Sequence, residues 1–172
     1  DISRDLNEYV NAIMTSQTTQ FQILSENSRY GIIVLMTFDD PGLHFKWYNS
    51  ITRQPVNRVL IKLVPVTDNQ EINYNYLSTN GRQVAKSSSR RDEFIRESEL
   101  QGLLYNRTND HLNPICPAVL YSKILTPTIS MQVRNLIQNE PFRVRLDALF
   151  NSLGPLQNYN PGLGLIIMEY AN

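Results

Sequence analysis

The chain has 172 residues, 41% apolar and 19% charged, which suffices for one domain with a substantial core and excludes general disorder. Its 16 basic and 16 acidic side chains cancel, so no global attraction to nucleic acid or to an anionic membrane is expected. A single cysteine, Cys116, excludes an intrachain disulfide and fits a reducing, intracellular compartment; with only His44 and His111 beside it, no metal-ligand cluster is expected.

Near the start, Leu6, Tyr9, Val10, Ile13 and Met14 recur at the spacing of one helical face, which predicts a short amphipathic helix in an N-terminal extension over residues 1–20. Phe21-Gln22-Ile23-Leu24 and Gly31 to Phe38 then read as two strands of a hairpin, with turn residues at 25–30. Asp39-Asp40-Pro41-Gly42 ends the second strand. An aromatic stretch with Phe45, Trp47 and Tyr48 leads to the apolar run Val59-Leu60-Ile61-Lys62-Leu63, a third strand. Alternation places Val59, Ile61 and Leu63 on one face and Leu60, Lys62 and Val64 on the other. A lysine in such a run either faces solvent or points into a cleft and requires a partner of opposite charge.

Residues 66–91 turn polar and read as an inserted loop, with at best a short strand at 72–77. Ser89-Arg90-Arg91-Asp92 has the form of a helix N-terminal capping signal, and the helix it opens covers about 92–105. Phe94, Glu97, Gln101 and Leu104 share a stripe at steps of three and four, which predicts that Glu97 is embedded among apolar positions. Asn106-Arg107-Thr108 forms a glycosylation sequon in a polar segment and carries little weight alone. Pro114 and Pro117 bracket an extended piece before a fourth strand at 118–124. A second insertion, 126–161, is expected to hold helices at 130–138 and 144–153, the latter closed by Gly154-Pro155. Leu163 to Tyr170 reads as a last, buried strand, and no apolar run reaches the length needed to span a bilayer. The expected fold is α+β: a five-stranded antiparallel sheet with a packed helix, an N-terminal helix and a partly helical insertion before the last strand.

A hairpin, a third strand with a central lysine, a helix with a glutamate, a fourth strand and a strand ending Met168-Glu169-Tyr170-Ala171: this order resembles the N-terminal lobe of a protein kinase over residues 21–172. Val59-Leu60-Ile61-Lys62 looks like the family's V-A-I-K. The resemblance makes Lys62 the lysine that contacts the α- and β-phosphates of ATP, and Glu97 the helix glutamate that pairs with it. It implies Met168 at the back of an adenine pocket, and the backbone of Glu169 and Ala171 as its hydrogen-bonding hinge. Gly31 and Ile33 align with the end of the family's glycine-rich loop, and magnesium would accompany ATP. Ile61-Lys62-Leu63-Val64-Pro65 and Pro114-Ile115-Cys116-Pro117 look like divergent serine/threonine kinase-like proteins of large DNA viruses, which implies a setting in host cytoplasm or virion.

The departures are equally specific. Of the family's glycine-rich loop only Gly31 is present, Glu26 stands where a glycine would approach phosphate, and Leu60 replaces the small alanine beside adenine. The H-R-D and D-F-G motifs of the second lobe do not occur in these residues, so phosphoryl transfer would need a C-terminal lobe, the implied partner together with a protein substrate. Three readings follow: a kinase N-lobe, a pseudokinase-like module that does not bind ATP, and a structural or interaction protein on an unrelated α+β fold. The last requires Lys62 and Glu97 to lie apart.

Overall fold

In the computed structural model, the structure describes residues 2–26, 31–39, 47–49, 52–68, 73–108, 118–125, 134, 137, 139–152 and 162–170. Its elements in chain order are α1 (Ile2–Thr15), β1 (Gln20–Ser25), β2 (Ile32–Thr37), β3 (Arg58–Thr67), β4 (Asn73–Leu77), β5 (Gln83–Ser87), β6 (Ser89–Arg90), α2 (Arg91–Thr108), β7 (Val119–Leu125), α3 (Glu140–Ser152) and β8 (Gly162–Glu169). The fold is α+β, as its pattern of apolar runs and helical stripes predicts.

Five strands form an antiparallel path in the order β1-β2-β3-β8-β7, and β6 joins the end of β3 in parallel as a sixth member. The expected count of five therefore omits one two-residue strand. β3 occupies the centre because its apolar residues serve two faces at once: Val59, Ile61 and Leu63 are buried on one, Val64 and Val66 on the other. Pro65, which has no N–H to give to a ladder, falls after the last β2 partner, Leu63, and before the first β6 partner, Val66.

The larger core covers the Val59–Ile61–Leu63 face. α1 contributes Tyr9, Val10, Ile13 and Met14 to it, and α3 contributes Phe142, Leu146, Leu149 and Phe150. The N-terminal extension is thus part of the core, with the Tyr9 ring edge-on to Trp47 at 5.2 Å. Phe21 of β1 stacks on Phe142 at 4.1 Å between ring centroids, which fixes α3 against the sheet edge. On the opposite face a smaller core gathers Val64, Val66, Ile166 and Met168 around Phe94 of α2.

Residues 66–91, expected to be mainly a loop, instead continue β3 to Thr67 and then fold as a hairpin of β4 and β5. Its alternation buries Tyr74 and Tyr76 and exposes Asn73, Asn75 and Leu77. Gly81 supplies the left-handed backbone (φ 73°) that the tip requires. Ser89 lies buried in the β6 bridge to Val66, and α2 begins at Arg91. The expected helix at 130–138, the Pro114–Pro117 piece, Cys116, His44 and His111 lie outside the described residues, apart from Arg134 and Ile137. No helix among the described residues is long and apolar enough to cross a membrane.

Gly164 explains how α2 sits so close to the sheet. A Cβ there would meet ring atoms of Phe94 at 2.4 to 2.8 Å, so only glycine admits the ring. Gly164→Ala should destabilise the protein by about 1–3 kcal/mol through overpacking. Urea unfolding of the single variant and of the double variant with Phe94→Leu checks this, since the smaller side chain should recover part of the loss.

Candidate functional site

Residues directly opposite in antiparallel strands present their side chains on the same face. Lys62 stands opposite Ile33 of β2 and Ile166 of β8; Leu60 stands opposite Leu35 and Met168. Ile33, Leu35, Leu60, Lys62, Ile166 and Met168 therefore share one face, and α2 lies on it through Phe94. The helix covers only part of that face. Ile166 and Met168 are buried, whereas Ile33, Leu35, Leu60 and Lys62 are half-buried, and Gln22 of edge strand β1, opposite Leu35, is exposed. The result is a flat apolar strip with one ammonium beside it. Such a strip suits a planar apolar ring with an anionic tail, because the strip takes the ring and the lysine the charge.

The proposed site residues are not all drawn together. Glu97 is exposed on α2, not embedded, and among the described residues it forms no ion pair with Lys62. The reason lies in which side of the helix packs. Phe94 is buried against the sheet, Ser98, Gln101 and Gly102 are half-buried, and the Ser122 hydroxyl of β7 donates to the Ser98 hydroxyl at 3.2 Å. Leu104, expected on the buried stripe, is 38% exposed and Leu100 is 52% exposed, so the helix is rotated away from the expected stripe.

At the end of β8, Met168 is 8% exposed and packs beside Phe94, Val64 and Ile166. The Glu169 N–H donates to the Ala118 carbonyl at 2.9 Å and its carboxylate accepts from the Asn49 side-chain amide at 3.0 Å. Ala171 lies outside the described residues. Gly31 is needed for packing. A Cβ at this position would lie 2.1 Å from the Leu63 carbonyl oxygen, so close backbone approach to β3 accounts for the glycine without a ligand.

A second polar group, unseen in the sequence pattern, gathers at Glu26, just after β1. The Glu26 carboxylate accepts from the Thr79 N–H at 2.7 Å, the Thr79 hydroxyl at 2.9 Å and the Tyr76 hydroxyl at 3.3 Å. Glu26 is thereby committed to the hairpin tip. Lys86 is buried beside it, and its pKa is lowered mainly by burial, with the Glu26 charge opposing. Two signals could have revealed this hairpin: the alternation of Tyr74 and Tyr76 with polar residues, and Asn80-Gly81 between the two strands.

Compared with protein-family models, with curated proteins and with solved structures, the chain matches none.

Because Lys62 and Glu97 do not touch, a double-mutant cycle of Lys62→Met and Glu97→Gln should give a coupling energy below about 0.5 kcal/mol in urea unfolding. A coupling several times larger would mean that the two pair in solution. Burial raises the pKa of Tyr74 and Tyr76 well above the ordinary phenol value, with Tyr76 and Glu26 respectively adding to the effect. Above pH ~10 the unfolded chain releases these protons while the folded chain retains them, so stability falls as pH rises. Tyr74, whose buried hydroxyl has no partner among the described residues, is the cleaner probe. Tyr74→Phe should be neutral or stabilising by up to about 1 kcal/mol at pH 7 and should flatten the alkaline decline in a pH series of denaturation curves.

Proposed function

We propose that this chain is a nucleotide-binding-type lobe similar to the N-terminal lobe of serine/threonine protein kinases, with the Lys62 face as its ligand surface. The observation that carries the reading is the register: Leu60 opposite Met168 and Lys62 opposite Ile166, on the face that also receives α2. A single ligand can therefore reach both the lysine and the end of β8. Ile33, Leu35 and Leu60 provide an apolar bed for a flat base, Met168 closes its inner end, and the Lys62 ammonium attracts phosphate oxygens. ATP would supply the triphosphate group and its magnesium. Among the described residues no cluster of three histidine, cysteine, aspartate or glutamate side chains is available to hold the metal. The chain's own contribution is to bind and orient; a general base and metal ligands would come from a second lobe.

A second reading, a pseudokinase-like or structural interaction module that does not bind ATP, is favoured by one specific feature. Glu97 is exposed and leaves Lys62 without the carboxylate that the active family arrangement pairs with it. An intracellular, reducing setting goes with either reading, because a single cysteine offers no intrachain disulfide.

Thermal denaturation with and without Mg-ATP separates the two. If the face binds nucleotide, saturation at about a hundred times the dissociation constant adds roughly 2.7 kcal/mol and raises the midpoint by roughly 5–10 °C. Lys62→Met should abolish that rise while leaving the midpoint without ligand nearly unchanged, since Lys62 makes no ion pair among the described residues. An unchanged wild-type midpoint at millimolar Mg-ATP favours the partner-binding module.

A further inference from the structure

Among the described residues Lys86 is the one charged side chain that is buried, at 2% exposure. Such burial demands polar partners, because an ammonium removed from water without them is strongly unfavourable. The partners lie far away in sequence. From β5, the Lys86 ammonium donates to the backbone carbonyls of Glu26 and Gly31, the residues that bracket the β1–β2 connection, the latter at 3.1 Å. The grip is reciprocal, since the Glu26 carboxylate is held by Thr79 and Tyr76 at the hairpin. Arg145 of α3 secures that tip from behind by donating to the carbonyls of Leu77, Ser78 and Thr79 at 3.2, 2.7 and 3.2 Å.

We propose that the β4–β5 hairpin is a built-in strap: Lys86 ties both ends of the β1–β2 connection to the hairpin, and Arg145 ties the hairpin to α3. Two features distinguish this from an ordinary surface contact. Both carbonyls that Lys86 serves belong to one connection, so one side chain closes it at both ends. The bonds to Glu26 come from a backbone N–H as well as from side chains, and separating the hairpin from Glu26 and Gly31 would strip partners from two buried groups, the Lys86 ammonium and the Tyr76 hydroxyl. Glu26 and Gly31, on the two sides of the connection, are consequently held to the hairpin without any ligand. The inference stands apart from the nucleotide reading, because it concerns how the connection is held and not what the Lys62 face binds.

Hydrogen–deuterium exchange of the full chain, without ligand, tests it. Lys86→Met retains the apolar stem and removes the donor. Backbone amides in peptides covering 24–33 should exchange about ten-fold faster or more, while those in β8 and α2 keep their wild-type rates. Glu26→Ala, which removes the acceptor from the other side, should accelerate the same peptides together with those covering 76–83. It also serves as the test if Lys86→Met does not fold. Unchanged exchange at 24–33 in the folded variants, or a uniform acceleration through every element, would overturn the strap. Localised acceleration supports it whether or not Mg-ATP binds.

Discussion

The constraint on which the rest of the structure depends is the double burial of β3. It pairs with β2 along one edge and β8 along the other, and its side chains serve two separate cores. A central strand of this kind needs apolar residues on both faces, which Val59 to Val66 supply with one exception, Lys62. The exception is tolerated because cover on its face is incomplete: α2 reaches Val64, Val66, Ile166 and Met168, and Leu60 and Lys62 remain half-buried. The open part of the sheet is thus a direct result of where one helix stops. Both α1 and α3 are committed to the other face, where they bury the larger core.

Two of the lysines within the described strands, Lys62 and Lys86, solve the problem of charge in opposite ways. Lys62 keeps access to water and has no ion pair among the described residues. Lys86 is buried completely and is compensated by backbone carbonyls and a neighbouring carboxylate. Carbonyl acceptors suit that role because their lone pairs are fixed in direction and would themselves need partners if water were excluded. The apolar context of a lysine in sequence is therefore a poor guide to its burial. Lys62 sits in a run of valine, leucine and isoleucine, whereas Lys86 sits among serine, alanine and glutamine.

That contrast also explains which parts of the fold were legible. The strands containing Ile32, Ile61 and Ile167 carry nearly continuous apolar residues, and α1 carries a clear helical stripe; burial dictates both patterns directly. The short strand expected at 72–77 matches β4, but β5 and its pairing escaped because the hairpin's buried tyrosines are set among asparagines, which read as polar when counted by composition. Glu97 was misplaced for a related reason. α2 meets the sheet through Phe94 and through Ser98, which bonds Ser122, while Leu100 and Leu103 are exposed, so hydrophobicity does not mark the packing stripe. The serine–serine hydrogen bond that accompanies the Phe94 contact reaches a strand more than twenty residues away, which a local stripe does not reveal.

The same distinction between packing and chemistry governs how the site should be weighed. Gly31 invites a functional explanation when met in sequence, yet a Cβ there would collide with the Leu63 carbonyl. Glu26 likewise seems poised to repel phosphate until its carboxylate is found bound to Thr79 and Tyr76. Once both are accounted for by structure, Gly31 and Glu26 offer no independent argument for or against a nucleotide. The register between β3 and β8 is itself demanded by the core, where Ile61 and Leu63 stand opposite Ile167 and Leu165, so what remains to be explained is the lysine at position 62. An alanine or valine at position 62 would satisfy the half-buried face between Ile33 and Ile166 at least as well as a long cation. Lys62 is held there half-buried and without an ion pair among the described residues, and that is the feature the core leaves unexplained.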